Sequence, residues 1–112
     1  MQFPLLEYVQ ATADATGTAN AVIGPKKYGD RWTVNTLASA STSALESTLK
    51  VYRGAAVPTA QVASTYSGNN DNAGGAAIEI GSADKLVFQW TGATPGAVCT
   101  CRIEGILTSQ RY

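Results

Sequence analysis

The side chains that could carry chemistry are few, and their spacing narrows what they can do. Cys99 and Cys101 are the only cysteines in the 112 residues. Two apart on an extended chain, they point to one face with Cα atoms about 7 Å apart, at or beyond the reach of an unstrained disulfide. A Cys-x-Cys pair can begin a zinc site, but such sites take four ligands, and the chain has no histidine and no further cysteine. The pair therefore reads as two reduced thiols buried as small hydrophobes. Without histidine the chain also lacks the commonest general base and the partner of most serine or cysteine nucleophiles. The carboxylates of Glu7, Asp14, Asp30, Glu46, Asp71, Glu79, Asp84 and Glu104 are scattered along the chain. Glycosidase chemistry would need two of them to face each other across roughly 5–10 Å. Glu104 reads instead as the ion-pair partner of Arg102 on the same strand face.

Other constellations are weaker. Asn70, Asp71 and Asn72 offer oxygen ligands inside Gly68–Gly75, but with one carboxylate and no terminal Glu they lack the spacing of a calcium loop. The glycines form neither a Walker loop nor a dinucleotide fingerprint. Lys26, Lys27 and Arg31 flank Tyr28 near Trp32, a set that could grip a phosphate chain, yet two lysines on a loop offset by Asp30 are ordinarily a solvated turn. Trp32 and Trp90 could stack on a sugar ring, but each falls on the apolar parity of its segment and reads as core. No cofactor is implied.

The elements that must position these residues are strands. Lys85–Leu107 carries the strongest period of two: Leu86, Phe88 and Trp90 on one face, then Thr91–Gly96 as a turn, then Ala97, Cys99, Cys101, Ile103 and Leu107 on one face of a second strand. Its pattern predicts a hairpin. Arg31–Ser39 alternates Trp32, Val34, Thr36 and Ala38 against Arg31, Thr33, Asn35 and Leu37. Ala44–Arg53 alternates Leu45, Ser47, Leu49 and Val51, and the short link between the two predicts a second hairpin. Gln10–Gly24 alternates small residues with threonine and asparagine, with a bend expected at Asp14–Gly17. Gly68–Gly75 is the longest loop signal, Ala76–Gly81 a short strand.

About eight short strands with turn signals every 8–12 residues predict an all-β antiparallel sandwich, jelly-roll-like, as one domain over residues 10–107. Residues 108–112 read as a polar tail. Residues 1–9 read as an edge strand or an extended N-terminal arm, removable without unfolding the sandwich. An apolar terminus needs something to bury it, so Phe3, Leu5, Leu6, Glu7 and Tyr8 are the candidate partner interface. Charged residues make up 14% of the chain, against about 25% in a typical domain, and the net charge is zero. That balance gives no basic footprint for nucleic acid and points to a protein that associates. No apolar run is long enough for a membrane helix, and no signal-type segment is evident, so synthesis in a cytoplasm is expected.

Five stretches carry a resemblance: Tyr28–Val34, Thr48–Pro58 with its TLKVYRG, Tyr66–Asn69, Ile78–Ile80 and Leu86–Ala97 with its LVFQWTG and PGA. Across Gly24–Gly105 this resembles the small β-sandwich virion proteins encoded among the structural genes of tailed bacteriophages, particularly those of actinobacteria. The resemblance implies a virion location on the capsid surface, as a decoration (cement) or minor capsid protein bound to the major capsid protein. It also implies a homo-oligomer, plausibly a trimer, and no catalytic residues. A head–tail connector or tail part is the alternative within the same setting, and a carbohydrate- or cell-surface-binding module the alternative outside it.

Overall fold

The computed structural model describes residues 1–62 and 65–109. Eight strands build two four-stranded antiparallel sheets: β1 (Gln2–Thr12), β2 (Ala19–Ile23), β3 (Arg31–Ser41), β4 (Thr48–Arg53), β5 (Tyr66–Ser67), β6 (Asn70–Gly81), β7 (Leu86–Thr91) and β8 (Val98–Thr108). One sheet runs β1-β8-β3-β6 and the other β2-β7-β4-β5. This is the strand order of a jelly roll, in which most successive strands cross from one sheet to the other. A single 3-10 turn at Pro58–Ala60 interrupts the connection after β4.

The core lies between the sheets. Trp32, Val34 and Leu37 of β3, Ile78 and Ile80 of β6, and Cys99, Cys101 and Ile103 of β8 face Leu49 and Val51 of β4 and Leu86, Phe88 and Trp90 of β7. The Phe88 and Trp90 rings, two residues apart on one face, stack with centroids 6.5 Å apart. Both tryptophans are buried, as their parity predicts.

Two expected hairpins are not hairpins. β7 pairs with β2 and β4, while β8 pairs with β1 and β3. The two strands of Lys85–Leu107 therefore lie in opposite sheets and face each other across the core. β3 and β4 are separated in the same way. Alternation reports which face of a strand is apolar, not which sheet it joins. Two apolar faces cover each other only when the strands sit in facing layers. The connection at Gly92–Ala97 is a corner, docked on the bend between β1 and β2: Ala93 N–H donates to Gly17 O, and Gly96 N–H to Ala13 O. A side chain at Gly17, whose φ is +78°, would collide with the Ala93 carbonyl. The bend itself falls where expected. Asp14 accepts hydrogen bonds from the Thr16 hydroxyl and the Thr16 and Thr18 N–H groups, which hold its carboxyl below the ordinary value.

Two further expectations change. In β3 the register slips between Val34 and Thr36 against both neighbours. This bulge at Asn35 moves the buried parity from Trp32 and Val34 to Leu37 and Ser39, so Thr36 and Ala38 are not core residues. β8 carries Gly105 opposite the slip, where a Cβ would strike the Thr33 carbonyl. Gly68–Gly75 is mostly strand, because β6 begins at Asn70 and pairs with β3 from there. Pairing with a long central strand overrides the poor strand propensity of Asn, Asp and Gly.

Candidate functional site

The expected interface residues all lie on β1, and the structure sorts them by direction. β1 pairs with β8 from Gln2–Thr108 to Thr12–Val98. It is thus an edge strand of the sandwich, and its removal would uncover β8. At one end the Met1 amino group donates to Ser109 O at 3.0 Å, and Ser109 N–H returns to Met1 O at 2.8 Å. At the other, Ala13 N–H donates to Ala97 O at 2.8 Å. Hydrogen-bonded pairs recur at every second residue of an antiparallel ladder. Odd-numbered residues of β1 therefore turn their N–H and C=O towards β8, and even-numbered residues turn theirs to the open edge. Pro4 is even-numbered, so its missing N–H falls on that edge and costs the ladder nothing.

Side chains divide along the same parity. Leu5 and Val9 point inward and are buried, Leu5 at 7% exposure. Leu5 is therefore core, not interface. Glu7 also points inward, half-buried, with its carboxylate 3.6 Å from Lys26 Nζ. It too is withdrawn from any partner meeting the outer face. Phe3 shares the inward parity but lies near the end of the strand opposite Leu107, where it is partly exposed. Pro4, Leu6 and Tyr8 form the outer face, Leu6 at 62% and Tyr8 at 59% exposure. Ile106 of β8, the register partner of Pro4, extends the strip and is itself exposed. Beyond it Arg102 and Glu104, register partners of Tyr8 and Leu6, form an exposed ion pair at 3.9 Å. Sequence parity could have split the five residues; only the pairing with β8 says which parity faces inward. Ile106 was missed because its segment lies far off in sequence.

A cleft of about 200 Å³ opens beside the inner side of β1. Leu5, Trp32 and Leu107 supply its apolar lining, and Glu7, Lys26, Lys27 and Asp30 its charged groups. No hydroxyl or thiol lines it. Next to it Lys26, Lys27, Tyr28 and Lys85 border a second recess, of about 290 Å³. Lys26 leans on Glu7, and Lys85 Nζ donates to Pro25 O at 3.1 Å. Two of these ammonium groups thus already have partners within the chain, and Tyr28 stands almost wholly in solvent.

The remaining chemical candidates are structural. Cys99 and Cys101 are free and buried. Burial pushes both thiols up, Cys101 to about 12, which keeps them protonated and unreactive in the fold. Asp71 Oδ2 accepts from Ser67 N–H at 3.1 Å, and Asn69 ties three segments together. Its Oδ1 accepts from Ser41 Oγ and Ser47 N–H, and its Nδ2 donates to Leu45 O. The amide of Asn69 thus braces the end of β3 and the β3–β4 connection against the link that leads into β6. Among the described residues no three His, Cys, Asp or Glu side chains come together as a metal site. The indoles of Trp32 and Trp90 are inside the sandwich, so neither offers a flat sugar-stacking face.

No protein-family model matches the chain, and no curated protein matches it significantly. A solved structure described as "CBM4 structure and function" aligns over 92% of this chain and 94% of its own, at 12% identity and a TM-score of 0.38. A likeness at that level bears on neither ligand nor activity.

Proposed function

We propose that this chain is a structural assembly protein of a virus particle, a capsid decoration or minor capsid protein that docks on the major capsid lattice. The observation that carries the reading is the outer strip of Pro4, Leu6, Tyr8 and Ile106. Four apolar side chains are gathered on adjacent strands of a sheet whose opposite face closes the core. Of the other exposed large apolar residues among those described, Met1 and Phe3 stand at the start of the same strand, while Val22, Tyr28, Leu45 and Val57 lie apart, on β2 and on separate connections. Scattered apolar residues are ordinary on a surface, whereas a contiguous strip rimmed by polar groups marks a contact. Zero net charge supports close packing of many copies. The resemblance to phage virion β-sandwiches supplies the setting. Docking would lay the strip on the lattice, with the Arg102–Glu104 pair at its rim as a polar frame.

Two measurements test the reading. Densitometry of purified particles should find the chain in hundreds of copies, in fixed ratio to the major capsid protein. Six or twelve copies would move it to the connector, and its absence from particles would end the proposal. Leu6→Glu, a fully surface-directed change, should leave the fold intact and abolish particle binding.

A further inference from the structure

The same strand presents a second surface, at right angles to the strip. The even-numbered residues of β1 turn backbone N–H and C=O groups to the open edge, and no described strand pairs with them. Natural sandwiches blunt such edges with charges, prolines, very short strands or bulges. The second sheet does so here: its edges are β5 of 2 residues and β2 of 5. β1 has 11 residues, no bulge against β8, and no charged side chain at Gln2, Pro4, Leu6, Tyr8, Gln10 or Thr12; Pro4 removes one donor from the edge and leaves the rest of it open.

We infer that the open edge of β1 pairs antiparallel with β1 of a second copy of this chain, joining two sandwiches through one continuous eight-stranded sheet. Charge selects that occupant. A two-fold axis brings together two strands of identical charge, and β1 carries no charged side chain at its even positions, so nothing on that face repels a second copy. Charge and side-chain type also select the register. Centring on Glu7 would set two inward carboxylates directly opposite each other, which like charge disfavours. Centring on Leu6 sets Leu6 against Leu6 and Pro4 against Tyr8, apolar with apolar along the strip. Pro4 then forfeits one bond in each half of the ladder, the one its N–H would give to the Tyr8 carbonyl of the other copy; Tyr8 still donates to the Pro4 carbonyl, and Gln2, Leu6 and Gln10 keep both of theirs.

The inference rests on the assembly reading for its purpose: pairing places two strips side by side and doubles the apolar face offered to a lattice. The contact is small. A strand of this length spans about 37 Å, and one sheet layer is about 10 Å deep. Such an edge buries roughly 700 Å² in total, below the ~1,600 Å² of a standard stable interface. Association of isolated chains is therefore weak and concentration-dependent, in the range of about 10 µM to 1 mM.

The test uses the full chain at both ends of that range. Sedimentation velocity should move from monomer to dimer with concentration. In hydrogen exchange, the amides of Leu6, Tyr8 and Gln10 should slow by at least about tenfold at high concentration, while those of Leu5 and Val9 are protected throughout. Leu6→Pro removes an outward N–H and keeps an apolar side chain, so it should remain folded, as Pro4 allows, and stay monomeric. A wild-type monomer at about 1 mM with unchanged edge amides overturns the inference, as does a Leu6→Pro variant that dimerises normally. Edge amides that slow only on mixing with capsids would assign the edge to another protein and overturn it too. A dimer that binds no particle would leave this inference standing and defeat the assembly reading; a monomer that coats particles would do the reverse.

Discussion

β1 and β8 are both 11 residues long, alternate with the same period and pair with each other end to end. They differ in one respect: β8 has β3 on its other side, and β1 has solvent. The inward residues of β8 are sealed at Cys99, Cys101 and Ile103, with Ile103 at 0% exposure, and Leu107 near its end is partly open. Those of β1 grade from buried Leu5 to half-exposed Glu7 and exposed Phe3. Outer residues differ less in exposure than in company: β8 presents Arg102 and Glu104 beside Ile106, whereas β1 presents Pro4, Leu6 and Tyr8 with no charge among them. Equal alternation thus produces an enclosed strand in one place and an open-edged strand in the other. Neighbours, not pattern, make the difference.

The sharpest way to break this contrast is to truncate matching positions. Ile103→Ala should cost about 2–5 kcal/mol in chemical denaturation, because the lost methylenes leave a cavity between two packed sheets. Leu6→Ala should change stability by no more than about 0.5 kcal/mol, as surface substitutions do, while weakening dimer and particle contacts alike. Similar losses at both positions would refute the division of roles. Gly105→Ala probes the seam between β8 and β3: the added methyl meets the Thr33 carbonyl, and overpacking of this kind costs about 1–3 kcal/mol. An unchanged denaturation midpoint would mean the bulge relaxes freely.

A smaller effect comes from the thiols. The folded pKa of Cys101 is raised from 9.0 to about 12. A raised acid pKa means the fold favours the protonated thiol. Its contribution is fully present below the unfolded value and is lost as pH climbs from about 9 towards about 12. The wild type should therefore lose stability between about pH 8 and 10.5 by more than Cys101→Ala does. In native buffer both thiols should react with an aromatic disulfide reagent only at the rate of opening. Rapid labelling would show β8 to be less enclosed than its packing implies. The smallest effect is expected at Asp14, whose lowered pKa favours the carboxylate; its support is present above the ordinary 3.8 and fades as pH falls below it. Asp14→Ala should loosen only the β1–β2 bend, seen as faster exchange of the Thr16 and Thr18 amides.

Much of this protein was legible in its residues. The period of two through Leu86–Trp90 and Ala97–Leu107, the bend at Asp14–Gly17, the burial of both tryptophans and both cysteines, and the Arg102–Glu104 pair all follow from local rules. Side-chain direction on an extended chain is set by the backbone itself. Three things depended on contacts distant in sequence. Sheet membership turned the two expected hairpins into facing layers, since the choice is made by which apolar faces cover each other. The bulge at Asn35 reversed the buried parity of β3, and it exists only where Gly105 of β8 lets the backbones approach. Pairing with β3 made a strand of Asn70–Gly75, whose own composition favours a loop. The amino-terminal run shows the boundary most clearly. Its sequence alone determined that an apolar terminal segment needs cover. Only the tertiary structure decided that β8 covers one side, the core takes Leu5 and Val9, and the open edge with Leu6 and Tyr8 is left outward. Alternation is a property of one strand, whereas an edge is a property of the sheet.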